Sequence, residues 1–155
     1  MKKATIIITI LSVILNVILI YFFVIKGNTT KTKDGRIEVM MTENNKDFVL
    51  EEMRDFLESV QKINEGILKN NPKLVIEAGL KSGGSVIEHA PHGLIKSLPL
   101  GFKILGFGTH DVFDKFSKTS ITNFDKKATQ EKLNTLLNNC IACHKSYKIG
   151  VSVTE

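Results

Sequence analysis

Apolar positions along the chain follow two regimes. From Ala4 to Ile25 the sequence reads ATIIITILSVILNVILIYFFVI, 22 residues without a charge, in which Thr5, Thr9, Ser12 and Asn16 are the clearly polar positions. A helix of that length, at about 1.5 Å per residue, is roughly 33 Å long and crosses a hydrocarbon core of about 30 Å. Residues 27–44 (GNTTKTKDGRIEVMMTEN) are polar, lack a sustained period and read as a tether. Beyond them apolar residues recur at helical spacing. Val49, Met53, Phe56, Leu57, Val60, Ile63 and Ile67 form one stripe and predict a helix over 45–70, capped by Asn44 or Asn45. A second helix is predicted from Pro72, suited to a first turn, to about His89, with Leu74, Val75, Ala78, Val86 and Ile87 inward. Gly83-Gly84 weakens it or breaks it in two.

Residues 90–99 form a connection. A third helix is predicted over 100–118, with Phe102, Leu105, Thr109, Val112, Phe113 and Phe116 on one side, although Gly101, Gly106 and Gly108 weaken its first half. After a loop, a fourth spans 126–148 and aligns Leu133, Leu136, Leu137, Cys140, His144 and Tyr147. No segment shows the alternation of a half-buried strand. The expected fold is all-α: an antiparallel four-helix bundle over 45–155, behind an N-terminal transmembrane helix over 1–26.

Charge refines this picture. Met1-Lys2-Lys3 precedes the apolar run, as at the start of a bacterial export signal. A cleavable signal has an apolar core of roughly 7–15 residues followed by small residues at the cut. Here the run is longer and ends Phe22-Phe23-Val24-Ile25-Lys26 with no A-x-A pattern, which favours an uncleaved signal-anchor. Lys2 and Lys3 stay in the cytoplasm and the rest is exported, although Lys26, Lys31 and Lys33 follow the run. The expected location is the bacterial inner membrane, single-pass, with the C-terminal domain in the periplasm. Removing Lys2, Lys3 and Lys26 from 21 basic residues leaves 18 against 16 acidic ones, so the exported part carries +2. With no basic cluster, nucleic-acid binding has no support.

The chemistry concentrates in residues 138–150, NNCIACHKSYKIG, which hold both cysteines of the chain. Cys140-Ile141-Ala142-Cys143-His144 fits C-x-x-C-H, the pattern for covalent attachment of a c-type haem. Each thiol must reach one vinyl group and the next residue must turn its imidazole over the ring to bind iron. On a helix, positions 140, 143 and 144 leave one surface, so the three groups point together. Zinc needs about four ligands, and only three cluster here unless His89, His92 or His110 joins them. A thioredoxin-like dithiol needs a strand–helix setting, and a disulfide inside a helix is strained. One covalently attached haem c is therefore the expected cofactor.

At these residues the chain resembles the cytochrome c prime family and its low-spin relatives, in which the haem motif lies on the last helix of a four-helix bundle. CIACHKSYK is similar to the family ending C-x-x-C-H-x-x-Y/F-R/K. The resemblance covers about residues 45–149 and implies thioether bonds from Cys140 and Cys143, proximal ligation by His144, and a basic residue, Lys148, near the proximal haem face. In the family a first-helix residue covers the distal face. Met there gives a six-coordinate electron carrier; Leu or Phe leaves iron open to small gases. Met53 aligns with that position, and its bland reading is a core methionine filling space. Leu57 or Leu50 competes for the place, and His110 is a further candidate, otherwise an edge histidine beside Asp111 and Asp114. Met40 and Met41 are poorer candidates. His89 and His92 read as loop residues, and Phe102, Phe107, Phe113, Phe116 and Tyr147 as core that also walls the cofactor.

Two functions follow. The first is a membrane-anchored, non-enzymatic electron carrier serving redox partner proteins in or at the membrane. The second is a five-coordinate haem protein binding nitric oxide or carbon monoxide. A third, haem-free reading is a tethered metal-binding or interaction bundle. No distal His/Arg pair argues for a peroxidase. Family members often pair through their first two helices, so a homodimer is one expected state.

Overall fold

The computed structural model describes residues 2–119 and 121–152. Met1 of the expected anchor and residues 153–155 of the expected domain lie outside it. The chain is mostly helical with a small sheet. Helix α1 (Lys2–Ile20) continues through a π-helical turn at Tyr21–Lys26, and the stretch Lys3–Lys26 is long and apolar enough to cross a membrane.

The segment read as a tether is structured. β1 (Thr29–Lys31) and β2 (Ile37–Met41) pair antiparallel. In the turn between them Gly35 takes φ +85° and Asp34 holds the Arg36 guanidinium at 2.7 and 2.9 Å. β2 also pairs in parallel with β3 (Tyr147–Val151), from Ile37↔Tyr147 to Met41↔Val151. No strand was expected, so the all-α expectation is corrected to a helical chain with a three-stranded sheet of order β1-β2-β3. Val39 and Met41 are buried and Glu38 and Met40 half-buried, an alternation confined to four residues, with Ile37 exposed at the strand's start. The fourth helix stops at Ser146, short of the expected Lys148, because Tyr147 turns to extended backbone and Ile149 and Val151 suit a strand.

α2 (Glu43–Leu68) begins two residues earlier than expected, capped by Thr42, whose hydroxyl accepts from the Asn45 amide at 3.3 Å; Asn45 itself is buried. α3 (Pro72–Ser82) is capped by Asn71 and ends at Gly83, and residues Gly84–His89 form a separate 3-10 helix, so the glycine pair does break the second helix. After the short α4 (Leu94–Ser97), α5 (Leu100–Ser117) is continuous despite its three glycines. α6 (Lys126–Ser146) is capped by Asp125, which accepts from the Ala128 amide at 2.6 Å.

Contacts link α2 to α3, α3 to α5, α5 to α6 and α6 to α2. Neighbours run antiparallel: the hydroxyls of Ser59 and Ser82 are 2.8 Å apart and Lys62 pairs with Glu77, while Lys132 reaches back to the Lys115 carbonyl. α3 and α5 touch at Gly79, where a Cβ would meet the Ser117 amide and the Phe113 carbonyl.

The core has two parts. One joins Ile63, Ile67, Val75, Ala78, Val112, Phe113, Phe116, Leu133 and Leu136 among the helices. The other joins the sheet to the helix ends: Val39, Met41, Val49, Leu94, Leu98 and Phe102, with Met53, Cys143, Tyr147 and Ile149 against them. Leu57, expected on the inward stripe, is 72 % exposed, which removes it as a residue facing any buried group.

Candidate functional site

Two adjoining cavities meet at Met53, Phe102, Cys143 and His144. The first holds about 820 Å³ of empty space, counting the part open to solvent. Its walls are chiefly apolar. α2 supplies Phe48, Val49, Met53 and Phe56; the 3-10 helix supplies Val86 and Ile87; α5 supplies Phe102, Leu105, Phe107 and His110; α6 supplies Cys140, Cys143 and His144. The second cavity, about 630 Å³, lies toward the sheet and carries Arg36, Lys46, Leu50, Tyr147 and Lys148.

The helical spacing of α6 brings the motif to this space. Cys140 and Cys143 are free thiols, half-buried, and His144 sits exposed at the mouth while lining both cavities. Burial pushes the Cys143 thiol up to about 11, with the neighbouring Cys140 adding to it, and burial likewise raises Cys140. Both thiols are therefore protonated at neutral pH in the metal-free chain. Among the described residues no three His, Cys, Asp or Glu side chains converge to hold a metal ion. His89 and His92 are exposed and line neither cavity. Met41 is core and Met40 half-buried on β2; neither lines a cavity.

Met53 lines both cavities with Cys143 and His144. Leu50 lines the second only. His110, expected as an edge residue, is 9 % exposed. Its Nδ1 lies 2.9 Å from the Ser82 carbonyl oxygen, which can only accept, so Nδ1 carries a proton and donates it there. Phe56 meets the ring edge-on, with centroids 5.0 Å apart.

Lys148 is placed differently from the expectation. Because α6 ends at Ser146, Lys148 is not one helical turn beyond His144; it stands on β3 opposite Glu38, with Nζ 3.4 Å from the carboxylate. It still faces the second cavity. Sequence reasoning missed Glu52, which lines the first cavity and whose carboxyl is pushed up to about 7 by burial, then by Asp55 and Glu51. It also missed Arg36 and Lys46, which the hairpin and the start of α2 bring beside Lys148. The one signal for Glu52 was its place next to Met53.

The residues fit a haem c in donor set and surroundings: two uncharged thiols three positions apart, an adjacent imidazole at the mouth, and an apolar chamber behind them. No protein-family model, curated protein or solved structure matches this chain.

Proposed function

We propose that this chain is a membrane-anchored monohaem c-type cytochrome of the cytochrome c prime kind, built on an antiparallel four-helix bundle and carrying electrons on the periplasmic side of a bacterial inner membrane. The observation that carries the reading is the joint lining of one apolar cavity by Cys140, Cys143, His144 and Met53. Cys140 and Cys143 would hold the haem through thioether bonds, and His144 and Met53 would ligate its iron. The bound haem supplies one-electron chemistry. The chain's own part is to exclude water with Phe48, Phe56, Val86, Ile87 and Phe102, so that a change of charge disturbs little solvent. At the edge nearest the sheet Arg36, Lys46 and Lys148 each stand in an ion pair, with Asp34, Glu43 and Glu38. α1 would hold the domain close to membrane-bound redox partners.

The competing reading, a haem protein open to nitric oxide or carbon monoxide, draws on one observation. Met53 also packs against the core of Val49, Leu98 and Phe102, as a space-filling methionine does.

Optical spectra of the haem-matured protein, oxidised and dithionite-reduced, with and without carbon monoxide, separate the two. A low-spin reduced spectrum indifferent to carbon monoxide is expected. A high-spin spectrum that sharpens with carbon monoxide moves gas binding to first place. Absence of a Soret band sinks both.

A further inference from the structure

We infer that the first two turns of α5, with α4 beside them, rest on the bilayer surface, so that the domain is held against anionic lipid headgroups in one orientation. The inference rests on the reading of α1 as a membrane anchor.

The join between α1 and the domain is a clamp. Gly27 takes φ +60°, and a Cβ there would come within 2.5 Å of the Pro99 nitrogen and 2.6 Å of the Ser97 oxygen. The Asn28 amide donates to the Ser97 carbonyl at 2.7 Å, the Met40 amide donates to the Asn28 carbonyl at 2.8 Å, and Lys103 Nζ reaches the Val24 carbonyl at 3.5 Å. The start of α5 is thus fixed where the apolar helix ends.

The outward face of α5 changes character along its length. Leu100 (38 % exposed) and Ile104 (63 %) show in the half next to the anchor; Asp111 and Lys115 show in the other half. Phe107 and, on α4, Ile95 border this apolar part where it meets the rim of the first cavity. Such a patch marks a contact surface, and its continuity with the membrane segment names the partner. Residues 89–110 contain Lys96 and Lys103 and no Asp or Glu, which complements lipid phosphates. The apolar side chains sink toward the acyl boundary, and Lys26 and Lys96 reach out to the headgroups.

The chain has no tryptophan, so Ile104→Trp makes a single emitter in the full-length protein. The control is Leu68→Trp, 72 % exposed. α3 runs antiparallel to α2 (Ser59 to Ser82, Lys62 to Glu77) and to α5 (Ser82 to His110, Gly79 to Phe113 and Ser117), so α2 and α5 run the same way and Leu68 lies at the end away from Leu100. Each variant is reconstituted in phosphatidylethanolamine–phosphatidylglycerol vesicles, with and without bromine near the carbonyl end of the acyl chains. Flotation is read first, then the ratio of emission in the two lipids. With the face sunk about 5–10 Å, as interfacial helices are, bromination lowers emission from position 104 roughly two-fold and leaves position 68 nearly unchanged. Equal ratios at both positions in floating protein overturn the docked face while the anchor stands. Failure to float removes the anchor and the inference with it. Adding Gly27→Ala to Ile104→Trp is expected to open the clamp and bring the ratio to the control's level; an unchanged ratio overturns the clamp as what sets the orientation.

Discussion

The imidazole of His110 hangs from the last carbonyl of α3: its Nδ1 lies 2.9 Å from the Ser82 oxygen, in a buried contact that fixes which ring nitrogen faces onward. Ring orientation of this kind is what a ligating histidine requires, but it is equally what a buried helix end requires. His110→Asn, which keeps a donor, is expected to cost less stability than His110→Ala, which orphans the carbonyl and leaves a hole, at roughly 2–4 kcal/mol. Urea unfolding checks the order. If His110→Asn turns a low-spin haem spectrum high-spin, His110 and not Met53 is the iron ligand.

Met53→Leu keeps volume and apolar character, so its stability cost should stay under about 1.5 kcal/mol. Its spectral effect should be large: the reduced protein becomes high-spin and takes up carbon monoxide. A variant that stays low-spin returns Met53 to the core.

Glu52 gives a pH signature. Burial first, then Asp55 and Glu51, raise its carboxyl from 4.5 to about 7 in the folded chain. The folded state therefore binds the proton more tightly than the unfolded state, and stability falls as pH rises from about 4.5 to about 7. Glu52→Gln should match the native Tm near pH 4.5 and exceed it at pH 8. A Tm difference that is the same at both values refutes the assignment.

Gly79 lets α3 lie against the backbone of α5, and the Cβ of Gly79→Ala would push into the Ser117 amide and the Phe113 carbonyl. Because backbone gives way less than a side chain tip, the expected loss is at least about 1–3 kcal/mol, read by urea unfolding. Gly106→Ala, with nothing within 4 Å of the added Cβ and a helical setting, should be neutral or stabilising and serves as the comparison.

Most of the helical frame was legible, because each long helix buries a stripe with a 3.6-residue period and because Asn71-Pro72 and Gly83-Gly84 carry their own stop and start signals. The C-x-x-C-H cluster was equally plain, being local in sequence and set on one helix face. Leu57 was misplaced because a stripe gives a direction and not an edge; one residue past Phe56 is already solvent. The sheet was invisible for a different reason. The alternation in β2 is four residues long, β3 shows none, and the partner that makes either a strand lies at the other end of the chain. His110 was read as solvated from its acidic neighbours, whereas the Ser82 carbonyl that draws it inward belongs to another helix.

The parallel pairing of β2 with β3 has a consequence for biogenesis. β2 leaves the membrane segment early, yet its outer edge stays open until Tyr147–Val151 arrive, and those residues directly follow the motif that holds the candidate cofactor. A chain emerging N-terminus first thus keeps its last clasp undone until Cys140, Cys143 and His144 have already passed, and closing that edge is the final long-range step. The order of the strands makes the finished sheet a seal set behind the candidate site, and a haem attached there as proposed would have its natural window before the seal forms.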